Sequence, residues 1–246
     1  MSDPVDERLV DTLRSARNVV ALTGAGVSAE SGIATFRDDE TGLWSRFSIE
    51  EFGSPEGFAR QPGRVWEWYV ERRDAMLRAR PNPAHLALAR LERHVASLTV
   101  ITQNIDGLHQ RAGSTRVLEL HGSIRTVRCG AADHGPFAWP EGRALAHCPV
   151  CGAPLRPNVV WFGERLDSGR IQAADRAAQE CDVLLAIGTS GLVAPAATFP
   201  MTARAHGARL VDINPVATPL SRHARHVLRG PAGELLPPVV AAAWPD

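Results

Sequence analysis

The chain has 246 residues, 44% of them hydrophobic and 22% charged, which fits one large globular domain or two unequal lobes and excludes wholesale disorder. Its 27 basic side chains balance 27 acidic ones, so the positive excess of a nucleic-acid binder is absent. All the basic residues are Arg, which excludes lysine Schiff-base chemistry, a Walker-type phosphate lysine and acylation of this chain on a lysine side chain of its own.

The N-terminal stretch carries acids and no apolar signal core, and its residues 4–17 are predicted helical from Val5, Leu9, Leu13 and Ala16. The run Val19–Thr23 then reads as a buried strand breaking into Gly24-Ala25-Gly26. The same form recurs. Leu98–Thr102 leads into Gln103–Asp106, and Val117–Leu120 into His121-Gly122. Val183–Ile187 leads into Gly188-Thr189-Ser190, Arg209–Ile213 into Asn214-Pro215, and His226–Arg229 into Gly230. Helical stretches at 84–94, 168–180 and 196–206 alternate with these runs, and a short helix follows Pro231. Such alternation predicts an α/β fold with a parallel sheet and helices on its faces. Ligands bind at the carboxyl ends of such strands, so the glycine turn, Gln103–Asp106 and His121 should share one crevice. No apolar run approaches the roughly 18 residues of a membrane span. A cytoplasmic protein with no membrane or nucleic-acid partner is expected, its oligomeric state open and a monomer included.

Two stretches interrupt the alternation. Residues 38–80 are aromatic and Arg-rich, with a helix around Pro62–Arg78, and residues 125–160 hold cysteines and prolines with little periodicity. They are expected to form a smaller discontinuous lobe, leaving 1–37, 81–124 and 161–246 to the sheet domain.

Gly24 and Gly26 would let a pyrophosphate approach the backbone beside a helix N-terminus, although a tight strand-to-helix turn explains the same glycines. The longer pattern Gly24–Arg37 resembles the signature of the sirtuins, the NAD-dependent protein lysine deacylases. So do Thr102–Asp106, Leu120–Ser123, Val159–Glu164, Gly188–Ser190 and Ile213–Pro215, in family order from about Val19 to Pro237. Ala34 departs from the family's usual Pro.

The resemblance implies a Rossmann-like NAD-binding sheet with a small lobe carrying a zinc ribbon. It implies that Gly24, Ala25 and Gly26 bind the pyrophosphate, and that Phe36 and Arg37 lie on a loop over the nicotinamide ribose. Gln103, Asn104 and Asp106 would line the nicotinamide and ribose pocket, and Gly188, Thr189, Ser190, Asn214 and Ala232 the adenosine half. Val160, Trp161, Phe162 and Gly163 would pair with the acyl-lysine peptide as an added strand. The implied reaction yields free lysine, nicotinamide and O-acyl-ADP-ribose. His121 would be its general base, an imidazole with an ordinary pKa of about 6.5 suiting proton removal near neutrality.

Tyr69, the chain's only tyrosine, and Arg72 stand at i, i+3 spacing on one helix face. Tyr-x-x-Arg resembles the signature of the class III sirtuins, which remove succinyl, malonyl and glutaryl groups, and the fork of Arg72 suits a carboxylate. Gly53 stands where that branch usually has Ala. A solvated Arg72 beside a core Tyr69 is the competing reading. The family's ribbon carries two Cys-x-x-Cys pairs; here Cys148 and Cys151 form one, while the other retains only Cys129. His134 would complete a Zn2+ tetrahedron, with Asp133 and His147 as neighbours, and a metal-free ribbon is the alternative. Expected activity is NAD-dependent desuccinylation or demalonylation alongside deacetylation. The alternatives are a plain deacetylase, a mono-ADP-ribosyltransferase or NAD glycohydrolase, and an NAD or ADP-ribose sensing module.

Overall fold

The structure is a computed structural model that describes residues 6–34 and 47–245. Phe36 and Arg37 lie outside the described residues.

Helix α1 (Glu7–Arg14) opens the fold, its start fixed by the Asp6 carboxylate accepting the Arg8 N–H at 3.0 Å. Strand β1 (Asn18–Thr23) follows and turns into a 3-10 helix over Ala25–Ser31. An α-helix was expected at that turn. The chain closes i→i+3 there instead, the Val27 N–H on the Gly24 carbonyl at 3.1 Å, and the Gly26 N–H, which no helix would use internally, reaches the Gly188 carbonyl at 3.0 Å. Next among the described residues are α2 (Ile49–Phe52), α3 (Pro55–Arg60) and the long α4 (Pro62–Arg78). The chain returns through α5 (Pro83–Leu91) to β2 (Ser97–Thr102), α6 (Leu108–Ala112) and β3 (Val117–Glu119). Strands β4 (Gly122–Cys129), β5 (Phe137–Ala138) and β6 (Leu155–Val159) form a separate antiparallel sheet in the order β5-β4-β6. Because β4 starts at Gly122, it straddles the lobe boundary expected at 124/125. Then come α7 (Ser168–Glu180), β7 (Val183–Ile187), α8 (Phe199–Ala205), β8 (Arg209–Asn214), β9 (His226–Arg229) and α9 (Ala232–Ala243). The helix expected over 196–206 is split, with a 3-10 turn at Ala196–Thr198. Pro200 has no N–H to return to residue 196, so α-helical bonding begins only at Phe199.

The main sheet is wholly parallel, in the order β3-β2-β1-β7-β8-β9, and is Rossmann-like. Its central strands are apolar on both faces because helices cover both. On one side Leu9, Leu13, Leu88, Leu91, Leu236 and Val240 pack against Val19, Ala21 and Leu185. On the other, Ala174, Ala178, Phe199 and Ala203 pack against Leu22, Leu184 and Ala186. Each fully buried aliphatic side chain of this kind stabilises the fold by about 1.5–3 kcal/mol.

Helix α4 binds the smaller layer together. Val65, Tyr69 and Met76 join Phe58, Ile124 and Trp161 in one apolar cluster, while Trp66 and Val70 join Val127, Cys129, Cys148 and Leu155 in another. The Trp66 indole also donates to the Arg143 carbonyl at 2.9 Å.

Candidate active site

The order of the sheet reverses direction between β1 and β7, and the chain's polar residues collect at that switch point. Each parallel strand keeps its loop aligned past its own end. The Gly24 N–H reaches the Ile187 carbonyl at 3.2 Å, the Gln103 N–H reaches Thr23 at 3.0 Å, and the Gly188 N–H reaches Ile213 at 3.0 Å. The glycines are needed for this packing whatever else they do. A Cβ on Gly24 would stand 2.8 Å from the Gly188 oxygen, and one on Gly188 would stand 2.3 Å from the Val27 nitrogen. Gly188 also has φ +58°, a left-handed conformation.

Around that turn the expected cofactor residues come together. The Gln103 amide donates to Thr189 Oγ1 at 2.8 Å, tying the β2 loop to the β7 loop. The Asn104 amide donates to the Gly24 carbonyl and to Ser28 Oγ, both at 3.1 Å. Asp106 is only 3% exposed. Its carboxylate accepts from Ser28 Oγ at 2.8 Å and from the Leu108 N–H at 2.9 Å. Burial nevertheless pushes its pKa up, against the opposing hydrogen bonds and the charges of Arg111 and Arg125. Asn214 ends β8 with its amide on the buried Asp212, and Ser190 and Ala232 end the neighbouring turn and open α9.

His121 follows β3, half-buried, with Nδ1 2.8 Å from the Gln103 carbonyl oxygen. A carbonyl only accepts, so Nδ1 carries the proton and Nε2 holds a free lone pair. Burial holds the pKa of His121 below its ordinary value, and the bond to Gln103 partly offsets this. The imidazole is therefore neutral and basic at pH 7.

Sequence patterns assign no role to the residues that brace this crevice. Ser28 lies within the glycine signature, yet its contacts come from afar. His85 Nδ1 accepts the Asn82 N–H at 3.3 Å, which leaves Nε2–H to face Ser28 Oγ at 3.5 Å. Beside it, His109 Nε2 meets Thr23 Oγ1 at 3.0 Å, while its buried Nδ1 has no partner among the described residues. The two rings lie 4.8 Å apart. Desolvation pushes His85 down to about 4 and His109 to about 3, the latter helped by the charge of His85. Both are neutral structural groups.

Beyond the crevice, Val160 and Phe162 run from β6 past His121. The Val160 N–H is already bonded to the His121 carbonyl and the Phe162 N–H to Gly53, each at 2.9 Å, and the Trp161 N–H to Glu164 at 2.8 Å. Phe162 and Gly163 are exposed, whereas Trp161 turns inward. Its indole N–H donates to Tyr69 Oη at 2.8 Å. Burial pushes the Tyr69 pKa up to about 12, so the phenol keeps its proton, which has no acceptor among the described residues. Arg72, half-buried, lies over the Trp68 ring at 4.8 Å and makes no ion pair among the described residues. Burial lowers its pKa, but a guanidinium stays charged.

In the small lobe Cys129, His134, Cys148 and Cys151 place their ligand atoms within 4.8 Å of one another. Two edges measure 3.5 Å, Cys129–Cys151 and Cys148–His134 Nδ1. A zinc tetrahedron with Zn–S of about 2.3 Å has S–S edges of about 3.8 Å, so three sulfurs and one nitrogen fit this metal. The Ala131 N–H on its sulfur and the neighbouring thiols bring Cys129 down to about 6, towards the ligating thiolate. Asp133 points away to Arg128 at 3.1 Å and His147 is exposed. Cys181 is an inert core thiol, its pKa pushed up to about 12 by burial.

A doubly wound sheet with polar loops gathered at its switch point defines the class of α/β proteins that hold a ligand across that crevice. The Sir2 family profile matches residues 24–195, and the chain belongs to the Sir2 family. It is 47% identical to an NAD-dependent protein deacylase of Methylococcus capsulatus, over 96% of both chains. It is 48% identical to NAD-dependent protein deacylase 1 of Pseudomonas aeruginosa, over 96% of this chain and 98% of that one. Among solved structures, a serine-to-alanine mutant of a Sir2 homologue in complex with ADP-ribose superposes with TM-score 0.90 at 45% identity, covering 97% of this chain and 96% of that one. A Sir2 homologue bound to NAD gives TM-score 0.90 at 44% identity, covering 98% and 94%. No helix among the described residues is long and apolar enough to cross a membrane.

Proposed function

We propose that the chain is an NAD-dependent protein-lysine deacylase of the class III type, removing acidic acyl groups such as succinyl as well as acetyl. The observation that carries the deacylase reading is His121: its proton is fixed on Nδ1 by Gln103, and its Nε2 is a free base in the crevice that holds Asp106. NAD, when bound, supplies the ribose that receives the acyl group and the nicotinamide that leaves.

The chain's own residues divide the rest of the work. The glycine turn and Gly188–Ser190 offer backbone against the pyrophosphate and adenosine. Phe36 and Arg37 keep the contact with the nicotinamide ribose that the family resemblance implies. Asn104 and Asp106 give a preorganised polar wall, held by Ser28, where positive charge develops. Nε2 of His121 takes a proton from a ribose hydroxyl. The acyl-lysine peptide lies along Val160–Gly163, using their carbonyls, since three N–H groups there are already spent. The acidic-acyl part rests on Arg72, a half-buried cation without a carboxylate partner among the described residues, beside a phenol with a proton to give. Residues 1–37, 81–124 and 161–246 are read as the NAD-binding domain, and 38–80 with 125–160 as the small lobe, Zn2+ held by Cys129, His134, Cys148 and Cys151 stabilising its ribbon. Acylated lysine side chains of cytoplasmic proteins are the proposed partners, without nucleic acid or membrane, and the oligomeric state stays open with a monomer included.

Nicotinamide release tests the reading directly. A deacylase releases it only with acyl-lysine peptide present. Release without peptide would mean a glycohydrolase, labelling of protein a transferase, and no release a sensor.

A further inference from the structure

We infer that Trp161 is a specificity-positioning residue that aims the Tyr69 phenol proton at an acidic acyl group; this deepens the acidic-acyl reading above and rests on it. The expected place of Trp161 was on the peptide-binding edge, but its side chain is 3% exposed and faces helix α4 instead. Its indole N–H donates to Tyr69 Oη at 2.8 Å. An indole N–H is a donor only, so Tyr69 must be the acceptor in this bond. A phenol has one proton, held near the plane of its ring. With one side of Oη taken by the indole, the proton is turned to the other side, free to donate.

Two ring contacts and one backbone bond keep Trp161 in that pose. The Arg156 guanidinium stacks on its ring at 3.4 Å. Phe58 packs on it with ring centroids 5.3 Å apart. Arg156 is itself held by the Glu164 carboxylate and by the Val159 carbonyl at 2.8 Å, and the same carboxylate accepts the Trp161 backbone N–H at 2.8 Å. A cation on the indole face draws electron density from the ring and strengthens its N–H as a donor. Glu164 neutralises that cation, so Arg156 is not free to attract the acyl carboxylate away from Arg72. The arrangement thus separates two arginines: one is spent in structure, the other is left for substrate.

Trp161→Phe removes the N–H and keeps an aromatic ring for Arg156 and Phe58 to pack on. The phenol proton is then free to rotate, and the ratio of kcat/KM for a succinyl-lysine peptide over its acetyl counterpart should fall about three- to tenfold, the effect of one neutral hydrogen bond. In a Tyr69→Phe background the same substitution should leave the ratio unmoved, because there is no phenol to orient. The chain has a single Tyr, so 13Cζ-labelled tyrosine gives one NMR line, which should shift in Trp161→Phe without substrate. A ratio that falls equally in both backgrounds, or is unchanged by Trp161→Phe while Tyr69→Phe lowers it, overturns the role of Trp161. A ratio unmoved by Tyr69→Phe itself removes the acidic-acyl reading and this inference together.

Discussion

Replacing Arg72 with Met asks whether the charge in the small lobe is there for a substrate. The guanidinium is half-buried over Trp68 at 4.8 Å and has no ion-pair partner among the described residues. Part of its desolvation is therefore already incurred on folding, which is why its pKa is lowered. A carboxylate arriving there meets a cation that has lost some of its water and gained no counter-charge. A charge-assisted hydrogen bond in such a setting contributes on the order of 1.5–3 kcal/mol. At about 1.4 kcal/mol per decade, losing it lowers the succinyl-over-acetyl ratio of kcat/KM roughly tenfold to a hundredfold. Met keeps a long unbranched stem, and its sulfur packs well on the Trp68 ring, so the helix face should hold. The assay is paired turnover of succinyl- and acetyl-lysine versions of one peptide at saturating NAD. Raising the salt should narrow the wild-type preference only modestly, since a partly buried pair is weakly screened. A ratio that does not move places Arg72 on the surface as a solvated cation. Equal loss on both peptides makes it a structural residue of α4. Either result refutes the argument.

His121→Ala should lower deacylation by about a hundredfold to ten-thousandfold while NAD still binds by calorimetry, and the wild-type rate should fall with acid only below pH about 6.5, since burial lowers the pKa of this base. Metal analysis of gently purified protein should find close to one zinc per chain. Cys148→Ala should lose it with a lower Tm, and retention of zinc in His134→Ala would move the fourth ligand elsewhere. His85 and His109 are held at about 4 and about 3 in the fold, below their unfolded value. Their stabilising effect is therefore complete above pH about 6.5 and is lost on acidification, about 2 kcal/mol each by pH 5. Thermal melts from pH 7 to 5 should show a fall in Tm that is smaller in His109→Gln; an equal fall in both proteins would contradict the buried neutral pair.

Much of the fold was legible because its signals are local and redundant. The central strands of the main sheet are buried on both faces, so they appear in sequence as unbroken apolar runs such as Val183–Ile187, ended by a polar or glycine turn. The register β1 to β7 then brings Thr23 beside Ile187, and the turns that follow are necessarily neighbours. Where the reading missed, the cause lay outside the local pattern. The turn after Gly24 is tied by a backbone bond to Gly188, and β4 starts at Gly122 because it pairs with Val159, each far along the chain.

The site divides in the same way. Residues that face a ligand stand in signatures and can be read from them; those that hold them in place are joined only by folding. Ser28 reaches Asp106, a residue 78 positions away, and Tyr69 meets Trp161 across 92. No spacing rule connects such pairs, and the chemistry of the single residue misleads. Two histidines behind the crevice, His85 and His109, have the same side chain as His121, yet only His121 combines partial exposure with a carbonyl that fixes its proton on Nδ1. What sets the proposed base apart is therefore what surrounds its imidazole. The same holds for the arginines: Arg156 lies against Trp161 with Glu164 as its counter-charge, while Arg72 lies against Trp68 with none among the described residues. Arg170 and Arg209 are half-buried without a counter-charge among the described residues too, but each donates to a protein oxygen, so on the reading proposed above Arg72 is the half-buried arginine stacked on a ring and left for a substrate carboxylate.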